Sequence, residues 1–578
     1  MAPLRRIFGL NARAARVVGG GAAMIVALAI APIGETGCYI TAGAGQPPPI
    51  NNFYFPVGLA VSKGGNVLYV ANSDFDLQWN GGTVQSYDLH LIRRDALDMI
   101  VDPSRQRPQL VLPPPPPGSC PQAPPDSRTD GNGSQPPTWT CAPPTRAAYY
   151  VRDSAIIGAF ATDLQVGVGG KRIFVPIRGD VSLTWADVAI DDPNIAPPET
   201  PDAAQTYAPF KLDCGPRTEG RCDASHHAGS DPTEPGNTRE VTMPGEPFGM
   251  AQSDDGSAIV VTHQTDTRSS LFAANLGNNR PALEFIADSI PGGGIAVAAV
   301  PHDADAYREC ISGTPADCAR VFPRPAFIQV SRSVAQMSLL RYYDDIGQTG
   351  GSSLYRPFLA NEQNITINAN AGSTDSRGIA FDPSARLRCK AAIGAGDVDA
   401  KISCAQLPAR FFITSRSPAS LIVGEVGQVR SDGVYDADAV RFRKNVPMPP
   451  GPSRIYVAPV VDAAGRYALR VFVVCSDASQ IVVYDPDADQ VESVVRVGPG
   501  PFALTFDPFS FSDMALRKQV PQDVREPARD LLTYRFAYVA SFTQSFVQLL
   551  DFDNSRADKS TFGTVVFTLG MPTQPKGT

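Results

Sequence analysis

This sequence of 578 residues contains little histidine and tryptophan, and it has no strong excess of charge of one sign. It contains 5 histidines and 3 tryptophans, and its 50 basic and 58 acidic side chains leave a net charge of -8. A balance this mild provides no electrostatic footprint for nucleic acid, so we expect no nucleic-acid partner. The histidines form no HExxH or His-x-His array, and no two cysteines have the C-x2-C spacing. Both absences argue against a zinc or copper enzyme.

Motifs of nucleophilic and phosphate chemistry are missing as well. The sequence has no G-x-S-x-G elbow, and no glycine-rich loop stands between a strand and a helix. GVGGK, residues 167–171, is instead typical of a hairpin turn. We therefore name no catalytic residue. Whether the protein is an enzyme stays open, and a non-enzyme is the favoured interpretation.

Long apolar runs are absent apart from one near the N-terminus, residues 19–34. That run is short and rich in glycine, which is typical of a secretory signal segment and not of a membrane span. The segment before it is basic, as signal segments are, with Arg5, Arg6, Arg13 and Arg16. We expect the protein to be exported.

Two interpretations of the cleavage site stay open. ETGC, which ends at Cys38, resembles a bacterial lipobox although Glu35 replaces the usual aliphatic residue, whereas AGA, residues 42–44, fits ordinary signal cleavage. We favour lipidation of Cys38, and Tyr39 after it favours the outer membrane of a Gram-negative bacterium. Without the lipid, we expect the periplasm or the cell surface. In either form, no membrane contact other than the lipid anchor is predicted.

Proline and glycine are abundant, with 54 and 50 residues, and they separate short apolar stretches, which favours many strands over long helices. Eight of the 10 cysteines are close neighbours in the sequence, in pairs that bracket polar stretches. In an exported protein this spacing predicts four local disulfides, each stabilising by about 2–3 kcal/mol on the chain-entropy account. The predicted pairs are Cys120–Cys141, Cys214–Cys222, Cys310–Cys318 and Cys389–Cys404, and Cys475 is left over.

A short apolar pattern, LYVAN at residues 68–72, recurs along the chain. Its relatives are IFVPI (173–177), IVVTH (259–263), FIQVS (327–331), FFITS (411–415), VFVVC (471–475) and AYVAS (537–541). Each copy is followed by a polar turn and a second apolar run, and most are preceded by a run that begins at glycine or proline. Each unit is therefore predicted to be a four-stranded antiparallel meander, which cannot bury both of its faces alone. Packing seven units in a closed circle solves this problem, so we predict an all-β, seven-bladed β-propeller.

Successive copies are 60 to 105 residues apart, wider than the roughly 40–50 residues of compact blades. The excess lies in polar, proline-rich insertions stapled by cysteine pairs, which we interpret as surface loops. The predicted organisation is a signal leader (1–37), a linker (38–52), the propeller (53–571) with insertions at about 103–147 and 192–245, and a tail (572–578).

The first repeat carries a likeness to a known family. FPVGLAVSKGGNVLYVANSDFD, followed by GGTVQSYDL, resembles the YVTN-type β-propeller repeat, and SQIVVYDPDADQVESVVRVGPGPFALTFDP is nearly as close. The resemblance extends over most of residues 53–570 and implies the propeller fold. Such propellers include surface and periplasmic binding proteins and lactonase-like enzymes, so the resemblance leaves the activity open.

In a propeller, the turns after the second strands and the beginnings of the innermost strands open on one face, near the axis. Arginine recurs at these positions, as Arg178, Arg332 and Arg416 after second strands and as Arg377 and Arg454 at innermost ones. Guanidinium groups bind carboxylate and sulfate bidentately, so one interpretation is a site for a small anion or an acidic glycan. The other interpretation is that these arginines form ion pairs across blade seams with Asp74, Asp180 and Asp477.

One loop has the oxygen-bearing side chains of a metal site. NSDFDLQWNGG, residues 72–82, brings Asp74, Asp76 and Asn80 together, which are ligands that Ca²⁺ accepts. The competing interpretation is that they only turn the chain, because such side chains bond to local backbone. Apart from this Ca²⁺ we expect no cofactor.

These observations together predict an envelope-anchored β-propeller that is a non-catalytic binding or scaffold module. Its partner would be an envelope protein or an anionic ligand. The alternative is a lactonase-like hydrolase with an acidic or Ca²⁺-assisted site on the axis. Convergent carboxylates around one axial gap would favour the enzyme, and an arginine-lined mouth would favour binding.

Overall fold

The computed structural model describes residues 45–101, 144–198, 200, 206–234, 237, 239–273, 280–301, 324–343, 357–367, 374–391, 403–404, 406–432, 434–509, 534–557 and 559–571. These residues form seven sheets, each built on four antiparallel strands in sequence order from the innermost to the outermost, and one sheet has a fifth strand at its outer edge. The predicted all-β, seven-bladed propeller is confirmed.

The strand bounds, blade by blade, are as follows. Blade 1 comprises Pro56–Val61, Val67–Asn72, Gly82–Asp88 and Val151–Ile157; blade 2 Gln165–Val166, Arg172–Ile177, Ser182–Asp187 and His227–Ala228; blade 3 Pro247–Gln252, Ala258–His263, Ser269–Ala273 and Ala282–Ala287; blade 4 Gly294–Ala299, Ala326–Ser331, Gln336–Tyr343 and Phe358–Thr366. Blade 5 comprises Ser376–Asp382, Ala409–Arg416, Ala419–Ser431 and Val434–Pro447; blade 6 Pro452–Val461, Tyr467–Cys475, Gln480–Asp485 and Gln490–Arg496; blade 7 Pro501–Phe506, Phe536–Ser541, Phe546–Asp551 and Val565–Leu569.

Helices are few in the described residues. They are Leu89–Val101 and Ser384–Ala391, with single 3-10 turns at Ala147–Tyr149, Ala208–Phe210 and Ala224–His226. The first of them begins where the carboxylate of Asp88 accepts a hydrogen bond from the N–H of Leu91, at 3.0 Å, and so caps the helix. None of the described helices has the length and apolarity of a membrane-spanning segment.

The hydrophobic core of the propeller lies at the seams between neighbouring blades. Seven clusters of buried side chains join the blades in cyclic order, from the seam of blades 7 and 1 to that of blades 6 and 7. Successive residues of a second strand point to opposite seams: Phe411 and Ile413 pack towards blade 4, whereas Phe412 packs towards blade 6. This is the two-residue period of a strand. A blade therefore has two apolar faces, and only neighbours on both sides bury them.

Ring closure combines face-to-face packing with one added strand. Blade 1 packs directly on blade 7, for example through Leu68 and Phe567 in one cluster. The dipeptide Pro144–Thr145, which follows the insertion of blade 1, pairs in parallel with the outermost strand of blade 7. The hydroxyl of Thr145 donates to the carbonyl oxygen of Thr568 at 2.9 Å, and the N–H of Gly570 donates to the carbonyl oxygen of Thr145 at 2.9 Å. The sequence contains no signal for this fifth strand.

Two of the four predicted disulfides are present, Cys214–Cys222 and Cys389–Cys404. The other two pairs, Cys120–Cys141 and Cys310–Cys318, lie outside the described residues, as does Cys38. Cys475 is a free thiol, fully buried at the end of a second strand, and burial raises its pKa to about 12, with a smaller contribution from Asp477. A thiol that stays protonated is a poor nucleophile, so Cys475 is a packing residue.

Candidate functional site

The mouth face is defined here as the face on which the innermost strands begin. The first paired residue of the innermost strand lies opposite the last residue of the second strand, as Pro56 does with Asn72 and Pro452 with Cys475. The turns that follow the second strands therefore open on the mouth face. This geometry agrees with the repeat pattern, in which both positions recur together.

Two rings of equivalent residues surround the mouth. In every blade, a residue at the end of the second strand or directly after it donates its N–H to the carbonyl oxygen of a residue shortly before the innermost strand. The donors, from blade 1 to blade 7, are Ser73, Arg178, Gln264, Arg332, Arg416, Ser476 and Phe542, and the acceptors are Phe55, Phe160, Glu246, Gly293, Asp375, Gly451 and Gly500. Arg178, Arg332 and Arg416 thus occupy equivalent positions in three blades.

Behind the mouth lies a central cavity of about 630 Å³, lined by the innermost strands of all seven blades. Its volume is in the range of small-molecule pockets. The wall is mostly aliphatic, and its charged residues are Arg377, Arg454 and Asp163. The axial opening therefore has two arginines and one carboxylate.

Arg454 spans the mouth of this cavity. From blade 6 it reaches Asp163, which precedes the innermost strand of blade 2: Nη1 lies 3.0 Å from Oδ1. Nη2 donates to the carbonyl oxygen of Thr162 at 2.6 Å, and the guanidinium stacks 4.5 Å from the ring centroid of Phe502. Burial raises the pKa of Asp163, and the charge of Arg454 opposes this rise. Arg454 is thus engaged by a carboxylate, a carbonyl oxygen and an aromatic ring of the protein.

Three of the other four arginines also have carboxylate partners. Arg178 pairs with Glu246 of the next blade, Arg377 with Asp375 at 2.6 Å, and Arg416 with Asp477 of the next blade. Arg332 is exposed, and within the described part of the chain no carboxylate lies in ion-pair distance of it. Of the three acidic partners considered from the sequence, only Asp477 takes one of these arginines. Asp180 instead binds the Nδ1 atom of His227 at 2.7 Å.

The loop of Asp74, Asp76 and Asn80 is also on the mouth face, in blade 1. Asp74 is 1% exposed; its Oδ1 accepts from the N–H of Trp79 at 3.2 Å, and its Oδ2 has no protein partner among the described residues. Asp76 accepts from the hydroxyl of Tyr54 at 2.5 Å. Across the described residues, no three His, Cys, Asp or Glu side chains are grouped in a way that could hold a metal ion. Ca²⁺ binding here stays a prediction.

Burial raises the pKa of Asp74 to about 8, and the neighbouring charge of Asp76 contributes, while the N–H of Trp79 opposes the rise. The folded protein binds this proton more tightly than the unfolded chain does. The free energy of unfolding therefore falls as the pH rises from about 4 to about 8. We expect Asp74→Asn to remove this slope and to stabilise the protein by about 1–2 kcal/mol at pH 8, with little effect at pH 4. Urea unfolding of the parent and the variant at both pH values measures this difference in the free energy of unfolding.

Asp76→Asn is the matched control for this prediction, since it also neutralises one carboxylate of the loop and Asp76 is only half-buried. If millimolar Ca²⁺ stabilises the parent protein above pH 8 and Asp74→Asn abolishes that effect, the loop binds the ion. A parent protein whose stability does not fall between pH 4 and pH 8 would contradict the raised pKa.

Sequence reasoning missed an aromatic group on the mouth face. Phe75, in the turn of blade 1, contacts Phe55, Phe160 and Phe542, with ring centroids 5.7, 5.8 and 5.3 Å apart. Phe542 in turn lies 5.5 Å from Phe502. These five rings come from blades 1, 2 and 7, on the side of the mouth away from Arg332 and Arg416.

A signal for this group is present in the repeat. Before the innermost strands of blades 4, 6 and 7, Gly293, Gly451 and Gly500 have φ of 83°, 78° and 64°. At the equivalent positions of blades 1 to 3, Phe55, Phe160 and Glu246 adopt φ of 48°, 59° and 57°. Residues with a side chain are strained in this left-handed region and glycine is not. Three blades use glycine here, whereas blades 1 to 3 retain a side chain in the same backbone conformation, which points to a role for that side chain.

Comparison with known proteins identifies no family for this sequence. No protein-family description matches the sequence, and no curated protein matches it. Among solved structures, the chain is similar to a protein from Bacteroides uniformis provisionally named a 6-phosphogluconolactonase (TM-score 0.39, 11% identity, 80% of this chain and 89% of that one covered). It is also similar to Kuenenia stuttgartiensis hydrazine synthase (TM-score 0.40, 10% identity, 88% and 98% covered).

A third similar structure is the periplasmic gluconolactonase PpgL of Pseudomonas aeruginosa, with a TM-score of 0.34, 14% identity and 73% of each chain covered. The names of these proteins differ in the chemistry they state. Identities this low carry no activity over to the present chain.

Proposed function

We propose that this protein is a non-catalytic binding module of the bacterial envelope, which takes an anionic group on its mouth face at blades 4 and 5. The anion is a carboxylate or a sulfate, either on a small molecule or displayed by an acidic glycan or an envelope protein. The export of the protein and the lipid anchor at Cys38 belong to the same proposal. The disulfides Cys214–Cys222 and Cys389–Cys404 support an oxidising compartment.

The observation that carries the proposal is the availability of Arg332 and Arg416. Arg332 is exposed, with no ion-pair partner among the described residues. Arg416 pairs with Asp477, but their side chains are 32% and 50% exposed. Ion pairs this exposed contribute little, about 0–1 kcal/mol. An incoming carboxylate or sulfate can therefore replace Asp477 on Arg416 at small cost, and Arg332 of the neighbouring blade offers a second guanidinium group on the same face.

Two of the remaining arginines are already bound by other groups of the protein and are not free for a ligand. Arg454 is fixed by Asp163, Thr162 and Phe502, and removing it from Asp163 would leave a buried carboxylate unpaired. Arg178 is similarly occupied by Glu246 and by the ring of Phe160, 5.6 Å away. We therefore assign contact with the ligand to Arg332 and Arg416, and to Arg377 when Asp375 releases it.

A lactonase-like hydrolase remains the alternative. Its axial acidic site would need carboxylates free to act as a base or to hold Ca²⁺. Among the described residues that line the central cavity, Asp163 is the one carboxylate, and Arg454 binds it. The composition of this lining therefore supports binding over hydrolysis. Hydrolysis of gluconolactone by the purified protein, at a rate dependent on Asp163, would reverse that preference.

The double variant Arg332→Ala with Arg416→Ala is expected to weaken binding of polyanions at least tenfold. Each charge-assisted hydrogen bond to a guanidinium is worth about 1.5–3 kcal/mol, and tenfold in affinity corresponds to about 1.4 kcal/mol. Calorimetric titration with heparin, polygalacturonate and sulfate measures the loss. The unfolding midpoint should stay unchanged, because both side chains are exposed or half-exposed.

The matched control is Arg443→Ala with Arg466→Ala, which removes the same charge away from the mouth. Arg443 pairs with Glu425 and Arg466 with Asp462, and their side chains are 62% and 45% exposed. An equal loss of affinity in both double variants would show binding to net charge alone. Either that result or undiminished binding by the mouth variant would reject the site.

A further inference from the structure

The rim of blade 1, residues 73–80, exposes apolar side chains on the mouth face. Phe75 and Leu77 are each 44% exposed. Phe75 is supported from below by Phe55, Phe160 and Phe542, so its ring is held in place. Leu77 extends from the same turn, whose backbone is closed by the N–H of Leu77 donating to the carbonyl oxygen of Asp74 at 3.2 Å.

The backbone of this rim is strained. Asp74 and Leu77 have φ of 50° and 54°, in the left-handed region. A leucine there is disfavoured relative to glycine, and an exposed leucine gains little from folding. The stability of the propeller therefore does not explain Leu77. Strain kept at an exposed apolar residue points to a contact outside the propeller.

Tyr54 and Trp79 flank the apolar pair. Their ring centroids are 5.9 Å apart, both are half-buried, and the hydroxyl of Tyr54 donates to Asp76. Tyrosine and tryptophan are the residues enriched at membrane–water interfaces, because one part of each ring is apolar and the other is polar. The rim thus has two apolar tips framed by two interfacial aromatic residues.

The first described residues of the chain, Gly45 and Gln46, lie beside this same rim. The N–H of Asn80 donates to the carbonyl oxygen of Gln46 at 2.9 Å, and an added Cβ at Gly45 would lie 3.4 Å from the Cβ of Asn80. Cys38 is seven residues before Gly45. Seven residues span at most about 25 Å when fully extended. A lipid on Cys38 would hold the rim within that distance of a bilayer.

We propose that the rim of blade 1 lies on the membrane, with Phe75 and Leu77 inserted into the lipid interface. This inference rests on the lipid anchor of the proposed function, and it adds a protein contact to the one membrane contact that the sequence predicts. It also fixes an orientation. With blade 1 against the bilayer, the disc is tilted, and Arg332 and Arg416 on the opposite side of the mouth stay open to water.

Vesicle binding tests the rim separately from the anchor. The full chain carrying Cys38→Ser, which cannot be acylated, is sedimented with vesicles of phosphatidylethanolamine and phosphatidylglycerol. We expect measurable binding, and we expect Phe75→Asp with Leu77→Asp to reduce the partition constant at least tenfold. The matched control is Ile190→Asp with Ile195→Asp. These residues are 56% and 55% exposed, beside Asp191, which binds the backbone of Asn66 on the opposite face.

An unchanged partition constant in the rim variant, or an equal loss in the control, would overturn the proposal. So would loss of vesicle binding that follows removal of a co-purified protein, since the rim would then be a protein-docking surface. Intact mass of the native protein from membranes addresses the anchor alone. A mature chain that starts at Gly45 would contradict the anchor, while the vesicle result would still decide the contact of the rim.

The single variant Leu77→Gly separates a membrane role from a structural one. Glycine relieves the left-handed strain, so the unfolding midpoint should stay the same or rise. Vesicle binding should nevertheless fall, by about threefold or more, because the apolar tip is lost. A variant with a lower midpoint and undiminished vesicle binding would show that Leu77 serves the fold, and would overturn the proposal.

Discussion

Replacing Arg341 by methionine is expected to lower the free energy of unfolding by about 3–5 kcal/mol. Arg341 is 3% exposed and ties blade 4 to blade 5. Its guanidinium contacts Glu362 at 2.8 Å, Asp438 of blade 5, and the hydroxyl of Tyr435 at 3.0 Å. Without the arginine, the buried Asp438 would lose its ion-pair partner and keep only the weaker electrostatic interaction with Arg386. Urea unfolding followed by tryptophan fluorescence measures the loss.

A second substitution shows whether the unpaired charge is responsible. Arg341→Met with Asp438→Leu removes the pair together and should recover most of the loss, because an apolar pair of similar volume often replaces a buried ion pair without penalty. Arg443→Met is the control for loss of an exposed arginine, and should change stability by less than about 0.5 kcal/mol. If the double variant does not recover the stability lost in Arg341→Met, the unpaired charge of Asp438 is not the cause.

Arg454→Met is expected to lower the free energy of unfolding by about 3 kcal/mol near pH 8 and by less near pH 4. The substitution removes the cation beside the largely buried Asp163, and without the opposing charge of Arg454 the pKa of Asp163 rises further. A raised folded-state pKa removes stability as the pH rises above the unfolded value of about 4, so the deficit grows with pH. Urea unfolding at the two pH values measures the difference.

The same variant tests the division of roles among the arginines. Affinity for sulfate should be unchanged, because Arg454 is engaged by Asp163, Thr162 and Phe502 and is not assigned to the ligand. Asp163→Leu added to Arg454→Met should restore stability at pH 8. A fall in sulfate affinity equal to that of the Arg332 and Arg416 variant would place Arg454 in the binding site.

The fold could be predicted from the sequence because each blade repeats one local pattern. LYVAN and its six relatives are all second strands, and each has the same neighbours on both sides. Such a pattern fixes strand order and the direction of side chains without any knowledge of distant contacts. The strand Pro144–Thr145 could not be predicted in this way, because it depends on a distant contact: its partner Thr568 is 423 residues away.

The candidate site likewise has a part that the sequence predicts, the positions of the arginines, and a part that it does not, their partners. The positions of Arg178, Arg332 and Arg416 follow from the repeat, because the first two come directly after second strands and Arg416 is the last residue of one. Their partners do not, because Glu246 and Asp477 belong to neighbouring blades and Asp163 faces Arg454 from across the axis. The aromatic group was missed because phenylalanine before a strand looks like ordinary core, and only the backbone conformation marks Phe55 and Phe160 as unusual.

The dipeptide Pro144–Thr145 has a consequence for how the molecule comes apart. In a propeller built from a linear chain, the first and last blades are normally the least firmly held, and unfolding can begin there. Here a segment threaded from the first blade is hydrogen-bonded to the last strand of the seventh, so neither end can peel away while the other stays in place. We expect the circle to open in one concerted event, with a high barrier, which would suit the exported protein that we propose.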